Sequence, residues 1–539
     1  MEVTTLERNN SQEAPMPWEI NRLCFLLALF IFIGPHSPIS GQSDKPQPYL
    51  PGTKQLNMDG DVASEMVAGI DRFLLKEIEK AEESREKLWR RDFSSRENYL
   101  AAIEPHRKKL AHILGVRDKR LEFQGPEKVS IIGEDSRIAS TRNFDVDVVR
   151  WPVFDGVHAD GLLLTPKGIA PRGYVIALPD ADHTPEQLIG LVPGLSEEAQ
   201  FAKILASHGM KVLIPTLIDR SYKPRSGRAK MTNREYIHRS AFELGRLLIG
   251  YEIQKTLSGV DWFSKIKKSH EKIAVVGWGE GGLIAFYAAA LDPRIEIASV
   301  SGYFGNRNQI WQHPLDRNVF GLLEQLGDAQ VAGMIAPRCL IIGTVPGPSL
   351  DLPSEGGAPS QLRSPSPTDV EREWKRTLEI VSPLKPNSFM FLENEWKSIN
   401  QQVLKLCGIP FVDKSDTYAP HGKIQDRVYR QDKQLKELDR FNQQLLSESA
   451  ARRNEFLPLF DQFKSDDKKK KVSTKDLPSF ADSMEPFRNH FYTEIIGKFS
   501  HELSSPNPRS RLVKETPQWS RYQVLMDVFP GVIAYGILT

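Results

Sequence analysis

The stretch Lys272–Ala290, KIAVVGWGEGGLIAFYAAA, places a strand signal, a glycine-rich turn and a helix signal in direct succession. Residues 272–277 form a short apolar run typical of a buried strand, and the alanine-rich residues 283–291 predict a helix. Gly277 and Gly281 stand where a side chain would collide with a tightly turned backbone. The stretch therefore predicts a strand that turns sharply into a helix.

This turn, Gly277-Trp278-Gly279-Glu280-Gly281-Gly282, has the small–x–nucleophile–x–small spacing of a nucleophile elbow. Its central residue is Gly279, which has no side chain that could attack a carbonyl. Glu280 is an alternative nucleophile, but moving the elbow by one residue would place Trp278 where a small side chain is required. The helix dipole also favours a carboxylate at a helix N-terminus, so Glu280 has a structural explanation as well.

Apolar runs at regular spacing flank this stretch, and helical patterns separate most of the later ones. Strands that alternate with helices predict a mostly parallel, doubly wound sheet covered by helices on both faces. A helix is predicted from Asn233 to about Phe263, and the Pro- and Ser-rich residues 346–368 predict a long flexible loop. The predicted strands are Val146–Trp151, Gly161–Thr165, Tyr174–Leu178, Val212–Pro215, Ile273–Gly277, Ile297–Ser301, Cys339–Gly343 and Phe389–Leu392.

The N-terminus carries an unbroken apolar run, Leu23–Ile33, which Arg22 precedes and small residues at Ser40 and Gly41 follow. Eleven residues make about 16 Å of helix, which is shorter than a bilayer core. The pattern predicts a signal peptide over residues 1–41, a Pro-rich linker over residues 42–60 and export to the periplasm or beyond. An uncleaved membrane anchor is the alternative.

Composition is ordinary for a globular protein, with 40% apolar and 26% charged residues among 539 and a formal net charge of +2. Basic residues are scattered, so we expect no nucleic-acid partner. The chain has no C-x-x-C motif and no clustered His/Cys pattern, so we expect no metal site and no cofactor. Cys339 and Cys407 are predicted to be small buried apolar groups rather than a disulfide.

Three stretches resemble the α/β-hydrolases of the dienelactone hydrolase and acetyl xylan esterase-like bacterial group. The elbow followed by LDPRIEIASVSGYF (residues 291–304) is similar to the elbow, helix and next strand of that group. The stretch APRCLII (residues 336–342) resembles the strand before the catalytic acid, and residues 241–263 resemble the helix before the nucleophile strand. The resemblance implies an α/β-hydrolase fold and carboxylic-ester hydrolysis.

The catalytic triad that the resemblance implies finds few counterparts in this chain. The nucleophile position falls on Gly279, and the acid would lie in the Pro/Ser-rich loop, where Asp351 is the candidate. The residues after Leu392, where the group has its His, contain none, and His421 is the nearest. Asp182 and His183 in the loop after the third predicted strand are candidates for lining a pocket. An ordinary turn into a helix capped by Thr184 is the preferred interpretation of that loop.

Three short segments recur in the same order at offsets of 368, 381 and 375 residues. Asp71-Arg72-Phe73 recurs at residues 439–441, Glu104–Arg107 recurs in part at 485–488, and Val153–Gly161 recurs in part at 528–536. We therefore predict one full unit and part of a second. The predicted domains are a helical segment (61–125), a hydrolase domain (126–425), a helical segment of the second unit (426–517) and a truncated start of a second hydrolase domain (518–539).

These observations favour an exported hydrolase-fold protein that lacks serine-esterase activity. Such a protein would bind a carbohydrate or an ester-like small molecule, or support a partner domain. An active ester hydrolase that uses Glu280 or another group is the first alternative. A pure interaction protein is the second, because charged amphipathic helices are predicted at residues 63–114 and 425–460, although packing on their own domain is the default.

Overall fold

A computed structural model describes residues 48–130, 135–225, 227–353, 355, 357–384, 388–393, 395–456 and 477–539. The predicted signal peptide and residues 42–47 of the predicted linker lie outside the described residues. The described chain divides into two compact units. The large unit comprises residues 67–502 and 529–532, and the small unit comprises the described residues up to 66 together with residues 503–528 and 533–539.

The large unit is built around one extended sheet. Its strands lie in the order β15-β12-β11-β10-β6-β7-β5-β4-β3-β16, and β2 pairs with β4 outside this path. Pairing is parallel from β15 to β7 and antiparallel from β7 to β16. The strands are β2 Glu127–Lys128, β3 Arg137–Ser140, β4 Phe144–Phe154, β5 Val157–Pro166, β6 Tyr174–Leu178, β7 Lys211–Pro215, β10 Ile273–Trp278, β11 Ile297–Ser301, β12 Cys339–Gly343, β15 Phe389–Leu392 and β16 Ala419–Pro420.

Helices cover both faces of this sheet and enclose an apolar core on each side. Strands buried on both faces read as continuous apolar runs, which explains why β6, β10 and β11 were visible in the sequence. The prediction of a doubly wound α/β sheet is confirmed, with parallel pairing in the half of the sheet from β15 to β7. The helices are α1 Val62–Leu88, α2 Arg96–Ile113, α3 Pro185–Leu188, α4 Phe201–Ser207, α5 Asn233–Phe242, α6 Leu248–Ile266, α7 Glu280–Leu291, α8 Leu322–Gln325, α9 Asp328–Ile335, α10 Pro367–Val381, α11 Trp396–Leu406, α12 Arg427–Phe456 and α13 Leu477–His490.

The single helix predicted from Asn233 to about Phe263 is wrong, because the chain forms α5 and α6 with a turn between them. Gly245 lies in this turn with a φ of +68°, a backbone conformation that interrupts a right-handed helix. The apolar stripe continues across the break, since Ile237, Leu248 and Tyr251 are all fully buried. Periodicity alone therefore did not reveal the interruption.

The prediction of a long flexible loop over residues 346–368 is also wrong in part. Residues 350–352 and 360–362 pair as a short antiparallel hairpin of β13 (Leu350–Leu352) and β14 (Ser360–Leu362). The loop before this hairpin lies close to the elbow, because the Trp278 indole N–H donates to the carbonyl of Pro346 at 2.9 Å. A second short hairpin pairs β8 (Tyr222–Pro224) with β9 (Lys230–Thr232).

The helices on either side of the predicted hydrolase domain pack on its core. Trp89, Tyr99 and Ile103 belong to the main apolar cluster, and so do Leu438 and Phe441 of α12. Polar contacts add to this packing, because the Tyr99 hydroxyl donates to the carbonyl of Gly333 at 2.8 Å and the Tyr251 hydroxyl donates to Oδ1 of Asn442 at 2.6 Å. The predicted helical segment of the second unit thus begins with a helix that is part of the large unit.

The small unit contains a sheet in the order β1-β17-β18-β19, formed by Lys54–Gln55, Arg509–Glu515, Ser520–Phe529 and Val532–Leu538. Leu56, Val62 and Leu525 form its apolar cluster, with Ile533 and Tyr535 packed against it. The turn between β18 and β19 has Gly531 at φ +78°, and the turn between β4 and β5 has Gly156 at φ +70°. The internal repeat and the truncated second hydrolase domain stay predictions.

Within the described part of the chain, no helix combines the length and apolar character needed to cross a membrane.

Replacing Leu438 by Ala tests the packing of α12. Its side chain is 1% exposed, so the cavity left by the substitution should lower the free energy of unfolding by about 3 kcal/mol. Leu446→Ala is the matched control on the same helix, because Leu446 is 56% exposed and its loss should cost less than about 0.5 kcal/mol. Urea unfolding followed by tryptophan fluorescence compares the two, and equal losses would show that α12 does not pack as described.

Candidate functional site

The elbow forms at the junction of β10 and α7, as the sequence predicted. Gly279 lies between them with φ 59° and ψ −119°, a conformation that is strained for any residue with a side chain. A Cβ atom at Gly277 would lie 2.1 Å from the carbonyl oxygen of Gly281, and one at Gly281 would lie 2.1 Å from that of Leu178. The tight backbone therefore requires glycine on both sides of Gly279. Gly282 is also crowded, since a Cβ there would lie 2.6 Å from the carbonyl oxygen of Ser301.

The space that a nucleophile would occupy is already filled. A Cβ atom at Gly279 would lie 2.5 Å from Oδ1 of Asp180 and 2.9 Å from Cδ of Pro348. Asp180 follows β6 directly, and Pro348 belongs to the loop that precedes β13. A serine in the present backbone would therefore collide with both residues.

The Asp180 carboxylate also occupies the place of an oxyanion. In hydrolases with this elbow, the backbone N–H after the nucleophile and an N–H from the loop after a neighbouring strand stabilise the oxyanion. Here the N–H of Glu280 donates to Oδ1 of Asp180 at 2.9 Å, and the N–H of Asp182 donates to Oδ2 at 3.2 Å. The Arg220 guanidinium donates to the same carboxylate at 2.7 Å. The chain supplies its own anion to these donors.

Glu280 is fully buried and surrounded by arginines. Its carboxylate accepts hydrogen bonds from Arg220 at 3.0 Å, from Arg234 at 2.9 Å and from Arg317 at 2.9 Å. Burial alone would raise the pKa of Glu280, but Arg317, Arg234 and Arg220 outweigh it and hold this pKa well below its usual range. Glu280 is therefore a carboxylate whose lone pairs are engaged by cations.

The ion pairs around Glu280 belong to a larger buried network. Arg234 is fully buried and also binds Glu252 at 3.1 Å and Asp316 at 2.6 Å. Charges in a protein interior are tolerated only when they are paired and hydrogen-bonded, because each loses several kcal/mol of hydration. The network thus ties the ends of β6, β7 and β10 to the loop after β11.

Asp351 and His421 are not brought to the elbow. Asp351 lies in β13 with its side chain 70% exposed and paired with Arg363. His421 follows β16, where its Nε2 and Oγ of Ser140 form a hydrogen bond of 2.8 Å. In the sheet order β16 lies six strands from β10, which corresponds to about 29 Å at the usual strand spacing of about 4.8 Å.

Asp182 and His183 lie beside the elbow but do not line its cavity. Asp182 is half-buried and accepts from Arg220 at 3.1 Å, and His183 lies with its ring centroid 5.4 Å from that of Trp278. Burial lowers the pKa of His183. The preferred interpretation of this loop is confirmed, because the Thr184 hydroxyl accepts from the N–H of Gln187 and caps α3.

A cavity of about 50 Å³ adjoins Asp180. It has room for a few water molecules, whereas small-molecule sites usually measure about 300–1,000 Å³. Trp396, in the region after β15 where the resemblance implies a His, contributes to its wall. The lining residues are Pro179, Asp180, Leu188, Leu195, Ala199, Phe201, Trp278, Val345 and Trp396.

The sequence analysis did not identify the residues that fill the site. Asp180, Arg220 and Arg317 follow β6, β7 and β11, and the carboxyl ends of parallel strands meet at one edge of a sheet. Their position after predicted strands was the available signal. Among the described residues no cluster of His, Cys, Asp and Glu is arranged to hold a metal ion, and the expected absence of a cofactor stays a prediction.

Gly279→Ser should destabilise the protein by about 3 kcal/mol, because it combines a strained φ with collisions at Asp180 and Pro348. Gly156→Ser is the matched control, since Gly156 has φ +70° with no atom within 4 Å of its Cβ position. This control should lose only about 1 kcal/mol. Urea unfolding of both variants measures the difference, and equal losses would mean that the nucleophile position is not blocked.

Asp180→Ala should remove the internal anion, leave the Glu280 N–H without its acceptor and take one of three carboxylate partners from Arg220, at a cost of about 3–5 kcal/mol. Acetate should restore part of this stability by binding in the vacated place, measured as a melting temperature that rises with acetate but not with chloride at equal ionic strength. Asp182→Ala is the control on the same arginine and should show no acetate effect. Identical responses of both variants to acetate would contradict an anion site at Asp180.

Comparison with known proteins gives a family match that includes the elbow. The sequence profile of the dienelactone hydrolase family matches residues 185–319, which include β10, the elbow and α7. No curated protein matches the chain.

Several solved structures resemble the chain. A methylesterase has 13% sequence identity, with 70% of this chain and 81% of that chain covered and a TM-score of 0.45. A glucuronoyl esterase from Solibacter usitatus has 13% identity, with coverage of 57% and 93% and a TM-score of 0.37. Acetyl xylan esterase 1 from Thermoanaerobacterium has 12% identity, with coverage of 45% and 77% and a TM-score of 0.31. Such low identities carry no activity over to this chain.

The family match includes the elbow of β10 and α7, which lies in the parallel half of a sheet covered by helices. The large unit therefore has an α/β-hydrolase fold, and its residues 185–319 are similar to the dienelactone hydrolase family.

Proposed function

We propose that this chain is an exported hydrolase-fold protein whose elbow no longer performs serine-esterase chemistry. The observation that carries the proposal is the Asp180 carboxylate, which lies against Gly279 and accepts the N–H of Glu280. Export rests on the apolar run of residues 23–33 and stays a prediction from sequence.

The first step of ester hydrolysis needs an attacking oxygen at the elbow. Gly279 has none, and its Cβ position is blocked by Asp180 and Pro348. In hydrolases that lose members of their triad, the rate falls by about 10⁴- to 10⁶-fold. The loss of the nucleophile thus supports an inactive elbow.

The second step needs donors that stabilise a developing oxyanion. The N–H of Glu280 already donates to Asp180, so a substrate oxygen would have to displace this carboxylate. A negative charge at that place also repels a second one, and the repulsion is strong where water is excluded. Asp180 therefore opposes the transition state in addition to blocking the nucleophile.

Glu280 is a poor substitute for the missing serine. A nucleophilic carboxylate must present a free oxygen to the substrate, whereas both Glu280 oxygens accept from buried arginines. The cavity beside Asp180 is also smaller than a sugar ring requires. We infer that the domain acts as a binding or supporting unit rather than as a catalyst, and that a carbohydrate ligand would not bind in this cavity.

Purified full-length chain should hydrolyse p-nitrophenyl acetate and acetylated xylan no faster than an equal amount of heat-denatured chain. A fluorophosphonate probe should leave no covalent adduct, as measured by intact-mass spectrometry, because the elbow has no reactive hydroxyl. Turnover that disappears in a folded Glu280→Gln variant would establish Glu280 as the nucleophile and overturn the proposal. A fluorophosphonate adduct on any serine near the elbow would overturn it equally.

A further inference from the structure

We propose that Arg307, Arg317 and His313 form a binding site for a small oxyanion, such as phosphate or a carboxylate. These residues lie in the loop between β11 and α8, outside the elbow turn that contains Gly279. The proposal goes beyond the proposed function, because it concerns binding by other side chains.

Arg307 is the central residue of this site. Its side chain is buried, with 6% exposed, and its Nε has no hydrogen-bond partner among the residues that the structure describes. No described residue forms an ion pair with its guanidinium, which lies 4.6 Å from the ring centroid of Tyr303. Arg307 is thus a buried arginine with five N–H donors, an aromatic face beside it and no ion-pair partner among the described residues.

Arg317 and His313 present further unsatisfied nitrogens in the same region. Arg317 donates through Nε to Glu280 at 2.9 Å, but its Nη2 is buried and has no partner in the described part of the chain. Its guanidinium lies 5.7 Å from the same Tyr303 ring that Arg307 contacts. Nδ1 of His313 is also buried without a partner among the described residues. Two guanidinium groups thus lie over one aromatic ring, and both of them and the His313 imidazole have a buried nitrogen without a partner among the described residues.

The nearby carboxylates do not fully neutralise the charge of Arg307. Glu280 is committed to Arg220, Arg234 and Arg317. Asp328 interacts electrostatically with Arg307 but accepts its hydrogen bond from the N–H of Gly305, at 3.2 Å. Burial raises the pKa of Asp328 to about 7, so this group carries only part of a negative charge near neutral pH. The positive charge of Arg307 therefore lacks a full counterion.

The chemistry of these groups selects the ligand class. A guanidinium matches the paired oxygens of a carboxylate or a phosphate, and two of them favour a small oxyanion over a neutral ligand. Burial and the nearby arginines lower the pKa of His313 to about 3, so its ring is neutral near pH 7 and serves as a hydrogen-bond partner. Phosphate and carboxylate share this recognition, and the experiment separates them.

Isothermal titration of the full-length chain with inorganic phosphate, and separately with acetate, tests the proposal at constant ionic strength set with chloride. We expect saturable binding of at least one of these anions, with one site per chain. Arg307→Met should weaken that binding by about ten-fold or more, because it removes a charge-assisted contact. Without anion, the same variant should melt at or above the temperature of the wild type, since it removes a buried charge that forms no ion pair with a described residue.

Arg372→Met is the matched control, because Arg372 lies on α10 with its side chain 58% exposed and should leave anion affinity unchanged. If Arg307→Met does not fold, His313→Ala and titration of the wild type still decide the question. Absence of saturable binding to the wild type would overturn the proposal, and so would equal affinities in the wild type and the folded Arg307→Met variant. Neither result bears on esterase turnover, which is measured separately.

Discussion

The contact between the Asp180 carboxylate and the backbone N–H of Glu280 determines what the elbow can do. This N–H begins α7 and points at the place where a hydrolase would hold charge during its reaction. In this chain a permanent negative charge is there instead, and Arg220 pairs with it at 2.7 Å. The elbow has therefore become an internal ion-pair site, whose energy depends on complete pairing away from water.

The ion pairs around Glu280 also depend on the pairing of buried charges. Glu280 forms ion pairs with Arg220, Arg234 and Arg317. Arg234 also pairs with Glu252 and Asp316. Buried charges resist rearrangement, because moving one partner leaves the other unpaired in a medium of low polarity. The network holds the carboxyl ends of the central strands in one arrangement. Gly279 suits this arrangement, since a glycine adopts the elbow conformation without the strain that a serine would bear.

Much of the fold was predictable because it follows from local patterns. Strands β6, β10 and β11 are continuous apolar runs, and Thr184 is followed by Pro185 at the start of α3. The break between α5 and α6 was not predictable, because the apolar stripe runs on through it and Gly245 alone marks the turn. The loop over residues 346–368 was misjudged for the opposite reason. Its Pro and Ser content hides a hairpin that β13 and β14 form by pairing with each other.

The sequence by itself determined the strand–turn–helix of residues 272–291, the absence of a side chain at Gly279 and the doubly wound sheet, because these depend on residue type and spacing along the chain. Only the tertiary structure decided what fills the site. Asp180, Arg220 and Arg317 come from separate strand ends, and their approach to Glu280 depends on the order of strands in the sheet. The tertiary structure also showed that His421 and Asp351 lie away from the elbow. Contacts between residues distant in sequence depend on the packing of the sheet and not on the pattern along the chain.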